Sequence, residues 1–250
     1  MPFSGTARLV GVEGLQSLRR AHVAVVGVGG VGSWTAEALA RCGVGRITLM
    51  DLDDVCITNT NRQVHAMPAT VGRTKVSVMA ERIRAIAPDC RVGELEEFLG
   101  EDTLEELFLA FPDVIVDAID DVAEKCRLVA AGRQRGVPVV VSGGAGGRRD
   151  PAQVRTGDLQ ATGGDGMLRD VRRTLRRVHG WPQTDAPWGV PAVWSTERPV
   201  WPQPDGTVCA TPPTGARGRL DCRTGFGTAV WVTGTFGFAA AQLAVEALLR

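Results

Sequence analysis

The sequence has no C-x-x-C pair, although it holds six cysteines (Cys42, Cys56, Cys90, Cys126, Cys209 and Cys222). Zinc ribbons are built on such pairs, so that structural metal site is excluded. The start, "MPFSGTARLV", lacks a charged stretch followed by an apolar one. No secretory leader is therefore expected, and the thiols are expected to be reduced in a cytoplasmic protein. Net charge is also missing: 28 basic residues balance 28 acidic ones. Nothing global calls for a polyanionic partner, although a neutral mean leaves room for a local basic patch. Lysine is nearly absent, since only Lys75 and Lys125 among the 28 basic residues are not arginine. There is no internal repeat.

A charge-free run, residues 225–245, is about long enough to span a bilayer. Its glycines and threonines (Gly225, Gly227, Thr228, Thr233, Gly234, Thr235 and Gly237) lower its hydrophobicity. Small residues let a helix pack closely, so a buried C-terminal helix is expected and no membrane.

What the chain does have is four short, β-branched apolar runs: HVAVVGV (22–28), RITLMD (46–51), DVIVDAI (113–119) and VPVVVSG (137–143). They read as strands buried on both faces. Helical patterns alternate with them. Between residues 71 and 87, Val76, Met79, Ala80, Ile83 and Ala87 recur at three- and four-residue spacing, and Pro88 stops the pattern. The alternation predicts an α/β fold, a Rossmann-like, doubly wound, mainly parallel sheet with an elaborated C-terminal half. Residues 181–213 break the rhythm with eight of the 14 prolines and four of the six tryptophans. One long ordered excursion covering a site is expected there, because disordered linkers are poor in aromatics.

The first chemical motif is GVGGVG, with Gly27, Gly29 and Gly32 in the G-x-G-x-x-G pattern and Gly30 within it. Such glycines allow a tight turn and close phosphate approach at a helix N-terminus, where free N–H groups favour anions. Asp51 ends the second strand, where a carboxylate accepts hydrogen bonds from ribose hydroxyls. Together they indicate an adenine nucleotide and leave NAD and ATP open.

The stretch NTNRQVHA (59–66) separates the two. Cleaving ATP between its α- and β-phosphates concentrates negative charge that cationic side chains must stabilise. Arg62 and Lys75 would provide that, and a lysine kept in so arginine-rich a chain marks a place for a compact ammonium. Asn61 and Gln63 are amides able to orient phosphate or carboxylate oxygens, while His65 reads equally as a turn residue or a site residue. In DAIDDVAEK (117–125), Asp117 and Asp120 are placed to bring a carboxylate to the triphosphate for magnesium, and Asp121 reads as a helix cap. The SGGAGG turn (142–147) is expected to let a ligand approach closely.

GxGGVG, Asp51, NTNRQ, Lys75 and the D-x-x-D of Asp117 and Asp120 resemble the ubiquitin-activating-enzyme-like (HesA/MoeB/ThiF) superfamily, which adenylates carboxylates with ATP. TARLVG (6–11), DLDDVCITNTNRQVHA (51–66), SGGAGGRRDP (142–151), STE (195–197), DGTVCA (205–210) and LDCRTGFG (220–227) extend the likeness to the tRNA threonylcarbamoyladenosine dehydratase family over nearly the whole chain. The resemblance implies a single ThiF-type adenylating domain over 1–250. Its nucleotide-binding half is 1–150, and its substrate-site and dimerisation half is 151–250.

The resemblance further implies Gly29 in the phosphate turn, Asp51 on the ribose, Asn61, Arg62 and Lys75 on the phosphates, and Asp120 at the magnesium. Arg8 would reach into a neighbouring subunit's site, which requires a homodimer. The implied substrate is tRNA carrying threonylcarbamoyladenosine beside the anticodon. A monovalent cation and a sulfurtransferase partner are left open. The threonyl carboxylate is adenylated, then captured by its own carbamoyl group, so no enzyme thiol is required and Cys222 is read as a packed thiol.

For RNA, Arg169, Arg172, Arg173, Arg176 and Arg177 lie along one face of a presumed helix, a stripe that suits phosphates or merely solvates the helix. Trp181, Trp188, Trp194 and Trp201 either stack on bases or pin their loop to the core. Two other readings stand beside dehydration. One is adenylation of a sulfur-carrier or ubiquitin-like C-terminus, against which the missing C-x-x-C pairs count. The other is a nucleotide-binding module without chemistry.

Overall fold

A computed structural model describes residues 2–212 and 226–250. The chain opens with α1 (Ser4–Arg20), bent at Gly11, where φ is 81°. It then alternates through β1 (His22–Val26), α2 (Gly32–Cys42), β2 (Arg46–Met50), α3 (Lys75–Ile86), β3 (Arg91–Leu95), α4 (Glu101–Leu109), β4 (Val114–Asp117), α5 (Val122–Arg135) and β5 (Val139–Ser142). The second half adds β6 (Val154–Asp158), α6 (Gly166–His179), β7 (Pro191–Ser195), the short β8 (Trp201–Pro202) and β9 (Val208–Cys209), and α7 (Val230–Leu248).

Seven strands form one sheet in the order β3-β2-β1-β4-β5-β7-β6. Every neighbouring pair is parallel except β6 on β7. The four apolar runs are its inner strands β2, β1, β4 and β5, as their continuous hydrophobicity required. Along β1 the side chains alternate: Val23 and Val25 join the core under α2, α3 and α7, while Ala24 and Val26 join the core under α4, α5 and α6. The result is a three-layer sandwich. Strand order reverses at β1, between β2 and β4, and opens a crevice at the carboxyl ends there.

Residues 181–213 depart from the expected single excursion. Pro191–Ser195 is an inner strand of the main sheet, and β8 and β9 follow it as a separate hairpin. Ala192, Val193 and Trp194 are buried, but flanking prolines and tryptophans hide this strand in the sequence. Trp181 and Trp188 meet edge to face at 4.9 Å, with Arg133 over the first ring and Arg176 over the second. Trp181, Trp188 and Trp194 are thus buried and pin the loop, which removes them from any stacking on RNA bases. Trp201 packs against Phe226 with ring centroids 4.2 Å apart.

No helix among the described residues is long and apolar enough to cross a membrane. α7 instead buries its small residues against α2. A Cβ added at Gly237 would stand 2.6 Å from the Trp34 Cβ and 2.7 Å from the Val31 carbonyl oxygen. The Thr35 hydroxyl donates to the Gly237 carbonyl across the same contact at 3.1 Å. Replacing Gly237 by Ala should therefore destabilise the protein by about 1–3 kcal/mol, overpacking outweighing the better helix propensity. Chemical denaturation checks this; an unchanged midpoint would mean that the two helices part without cost.

Candidate functional site

The crevice begins at the turn after β1. Gly27 adopts φ 87°, which L side chains rarely take, and its N–H donates to the Met50 carbonyl at 2.8 Å. A Cβ at Gly32 would lie 1.8 Å from the Gly27 carbonyl oxygen, and one at Gly27 would lie 2.8 Å from that of Ala118. Both glycines are needed for backbone packing. Gly29 is different: a Cβ there would meet only the Gln63 Nε2, at 3.9 Å, which leaves the middle of the turn open. No side chain caps the start of α2, although the Ser33 N–H there already donates to the Gly29 carbonyl at 3.1 Å.

Asp51 closes the next side of the crevice. Its Oδ2 accepts from the Val28 N–H at 2.7 Å and its Oδ1 from the Asp53 N–H at 2.9 Å. Lys75, the first residue of α3, is buried here, with Nζ 3.6 Å from Asp51 Oδ1 and 2.6 Å from Asp53 Oδ2. Asp53 was missed by the sequence reading. Its signal was the carboxylate two residues after Asp51 in DLDD, which places both acids on one turn.

The 59–66 stretch divides into builders and rim. Asn59 is buried and its Oδ1 accepts from the Cys56 N–H at 2.9 Å, which shapes the turn. His65 is wholly buried with neither ring nitrogen partnered among the described residues. Burial, with the Lys75 and Arg82 charges adding, holds its pKa down at about 4, so it is a neutral interior residue. Arg62 lines the phosphate turn, its Cγ and Cδ each 3.5 Å from a Cβ added at Gly30. Its Nη1 donates to the Thr58 carbonyl and to Asn61 Oδ1, both at 2.9 Å. Asn61 Nδ2 donates in turn to the Thr228 carbonyl at 2.9 Å. Helices α2 and α7 hold this strip from beneath, because Trp34 Nε1 and the Thr233 hydroxyl both donate to the Arg62 carbonyl, at 3.0 and 3.4 Å. Gln63 is buried beside Gly29 with its Oε1 unpartnered among the described residues.

At the end of β4 the two candidate carboxylates part. Asp117 turns inward and pairs with Lys125 at 2.8 Å, both side chains 0% exposed. Burial pushes the Asp117 pKa up, and the Lys125 charge acts against that rise. Asp117 therefore does not face the crevice as the D-x-x-D spacing suggested. Asp120 is exposed, and Asp121 caps α5 as expected, accepting from the Ala123 and Glu124 N–H groups at 2.8 and 3.2 Å. No group of three metal-ligating side chains occurs among the described residues. A single exposed carboxylate still fits magnesium, which takes one or two protein carboxylates and fills its shell with phosphates and water.

Two further expectations are altered. In the α6 stripe only Arg169, Arg173 and Arg177 are exposed; Arg172 donates to the Thr162 hydroxyl and Arg176 lies over Trp188. Three of the four SGGAGG glycines make room for protein: a Cβ at Gly143 would lie 2.6 Å from Asp165 Oδ2, one at Gly146 2.8 Å from the Phe226 Cβ and one at Gly147 2.8 Å from the Pro199 Cβ, whereas one at Gly144 would meet only Asp165 Oδ2, at 3.9 Å. Arg148, unremarked in the sequence, is buried beside the same loop, 3.8 Å from Asp165 Oδ2. Arg8 is exposed on α1, and its side chain makes no hydrogen bond or ion pair with any described residue, so nothing ties it to its own subunit's crevice. Cys222 lies outside the described residues.

The ThiF family matches residues 4–175 of the chain. The tRNA threonylcarbamoyladenosine dehydratase of Escherichia coli strain K12 is 48% identical over 250 residues, 99% of this chain and 93% of that protein. The solved E. coli dehydratase in complex with AMP superposes with a TM-score of 0.87 at 44% identity, covering 99% of this chain and 93% of its own. The same enzyme in complex with ATP gives 0.85 at 42% identity with the same coverage. A glycine turn flanked by Asp51, Lys75 and Arg62, on a chain so matched from end to end, puts this protein in the ThiF family, among the tRNA threonylcarbamoyladenosine dehydratases.

Proposed function

We propose that this chain uses ATP to dehydrate threonylcarbamoyladenosine, next to the tRNA anticodon, to its cyclic form through an acyl adenylate. One observation carries the reading. The phosphate turn, Asp51, Lys75 and Arg62 border one crevice of a chain that is 48% identical to the E. coli enzyme over 99% of its length. In this assignment the amides around Gly29 and Gly30 cradle phosphate, and Asp51, its carboxylate already fixed by the Val28 and Asp53 N–H groups, receives the ribose. Arg62 and Lys75 stabilise charge that develops at the α-phosphate as the threonyl carboxylate attacks, with Asn61 and Gln63 orienting oxygens. Magnesium, held by Asp120, would neutralise phosphate charge.

The second step needs little from the protein. The carbamoyl nucleophile is already in the substrate, so holding it against the activated carbonyl gives a high effective molarity and AMP leaves. The exposed arginines of α6, Arg169, Arg173 and Arg177, supply a surface for tRNA phosphates. The working unit is a homodimer in which Arg8 of one subunit completes the crevice of the other. Incubation with ATP, magnesium and modified tRNA tests the whole reading: AMP, pyrophosphate and a nucleoside lighter by one water are expected. An unchanged nucleoside alongside an adenylated carrier protein would overturn it in favour of the carrier-activating reading. Cys222→Ser is expected to keep much of the activity.

Two predictions follow from the roles of single residues. Lys75→Ala should slow adenylation by far more than it weakens ATP affinity, because the ammonium acts mainly on charge that appears in the transition state. Titration calorimetry and pyrophosphate release read the two effects, and equal losses would mean uniform binding instead. Mixing Arg8→Ala protein with Lys75→Ala protein should restore part of the activity, since one crevice in each heterodimer then has both groups intact. If heterodimers form and no activity returns, Arg8 does not act across the interface.

A further inference from the structure

Lys125 and Asp117 form a buried ion pair that no step above uses. Stability alone does not explain it. Two charges are taken out of water, and Asp117 Oδ2 has no partner among the described residues. An apolar pair of similar volume commonly holds helix to strand as well or better. The location is more informative. Asp117 sits at the centre of the sheet, level with Val26 of β1 and Val141 of β5. The next residue leans on the phosphate turn: Ala118 donates to the Val26 carbonyl at 2.8 Å, and its own carbonyl blocks any side chain at Gly27.

From there the chain is tied down twice within five residues. Asp117 Oδ1 accepts from Lys125 Nζ at 2.8 Å and from the Ile119 N–H at 3.2 Å, joining the turn to the first turns of α5. Asp121 caps the same helix, and the Lys125 N–H donates to the Asp121 carbonyl at 3.0 Å. Between these two fixed points stands Asp120, exposed at the crevice edge. Apart from Lys75, every other basic residue is an arginine, yet the completely enclosed position 125 keeps a lysine, whose single-point ammonium fits where a planar fork does not.

We propose that the Lys125–Asp117 pair is a positioning device: it locks the 117–121 turn so that one carboxylate stays inside while Asp120 is aimed at the metal and phosphates. The proposal rests on the reading of Asp120 as the magnesium carboxylate. Lys125 and Asp117 are both 0% exposed, so neither side chain opens to the crevice and both act through Asp120.

The test is AMP release by the full-length protein with modified tRNA at varied magnesium, with thermal melting measured alongside. The double variant Lys125→Met/Asp117→Asn contains no lone buried charge and should melt close to the unaltered protein. Its kcat should nonetheless fall at least tenfold and its half-saturating magnesium rise severalfold, with the KM for tRNA unchanged. A well-folded double variant with unaltered kcat and magnesium requirement overturns the proposal and leaves the pair a structural one. If the double variant does not fold, Asp117→Asn, which keeps the size of the side chain, is combined with Asp120→Asn. A pair acting through Asp120 makes the combination no slower than Asp120→Asn alone, whereas an independent role multiplies the two losses and overturns the proposal. An undiminished rate in Asp120→Asn itself overturns the metal assignment, a failure seen in that single variant before the pair is touched, and takes away what the pair would aim.

Discussion

The crevice depends on how closely three stretches of backbone approach one another. A carbon added at Gly32 would sit 1.8 Å from the Gly27 oxygen, and a carbon added at Gly27 would sit 2.8 Å from the Ala118 oxygen. The start of α2, the end of β1 and the end of β4 are therefore in direct main-chain contact. Because main chain is stiffer than side chain, the positions of the phosphate turn, of Asp51 across β1–β2 and of the 117–121 turn are set by the sheet itself. This is a rigid platform of the kind that differential stabilisation of a transition state needs. α7 adds the remaining constraint. It closes on α2 through Gly237 and carries Thr233 to the Arg62 carbonyl, so the cationic rim is braced by a helix that follows it by some 170 residues in sequence.

What could be seen in the sequence follows from burial. β1, β2, β4 and β5 are covered on both faces, so their residues are apolar without interruption and stand out. β3, RVGEL, and β6, VRTGD, are edge strands with exposed positions, and their mixed composition resembles loop. β7 is inner and no shorter than the strands that stood out, but the surrounding prolines and tryptophans gave it the look of an excursion. The glycine turn, Asp51, Lys75 and Arg62 were legible because each motif is local and its chemistry demands those residue types. Asp117 and Asp120 were not separable, since a spacing of three gives both carboxylates equal standing. Only the fold, by bringing Lys125 under β4, decides which one is buried. The Asp53 contact with Lys75 was hidden for a similar reason, as 22 residues separate the partners.

The five-arginine stripe of α6 read equally as a phosphate surface or as a solvated helix face, and the structure divides arginine charge by task. Arg133 and Arg176 spend their planar groups on tryptophan faces, and Arg172 donates to Thr162. Guanidinium suits such work because it stacks and is weakly hydrated. Three of the five arginines on α6 face outward, and Arg169 and Arg173 each lie 3.4 Å from Asp170 Oδ1, which offsets part of their charge. Count alone overstates an electrostatic surface wherever aromatic rings lie within reach.

The same distinction applies inside the crevice. Lys75 has Asp53 at 2.6 Å and Asp51 at 3.6 Å, so its charge is already matched, with one carboxylate to spare. Among the described residues Arg62 donates only to a backbone carbonyl and an amide oxygen, and no carboxylate there matches its charge. Long-range attraction of a polyanion therefore comes from Arg62 at the rim, not from Lys75. A phosphate arriving at Lys75 has to compete with Asp53, whose side chain is 56% exposed and is solvated when it lets go, whereas Asp51 at 9% is held by two backbone N–H groups and stays. The exchange costs little because water receives the displaced carboxylate; under the roles proposed above, it would deliver the ammonium where charge accumulates and leave the proposed ribose acceptor in place.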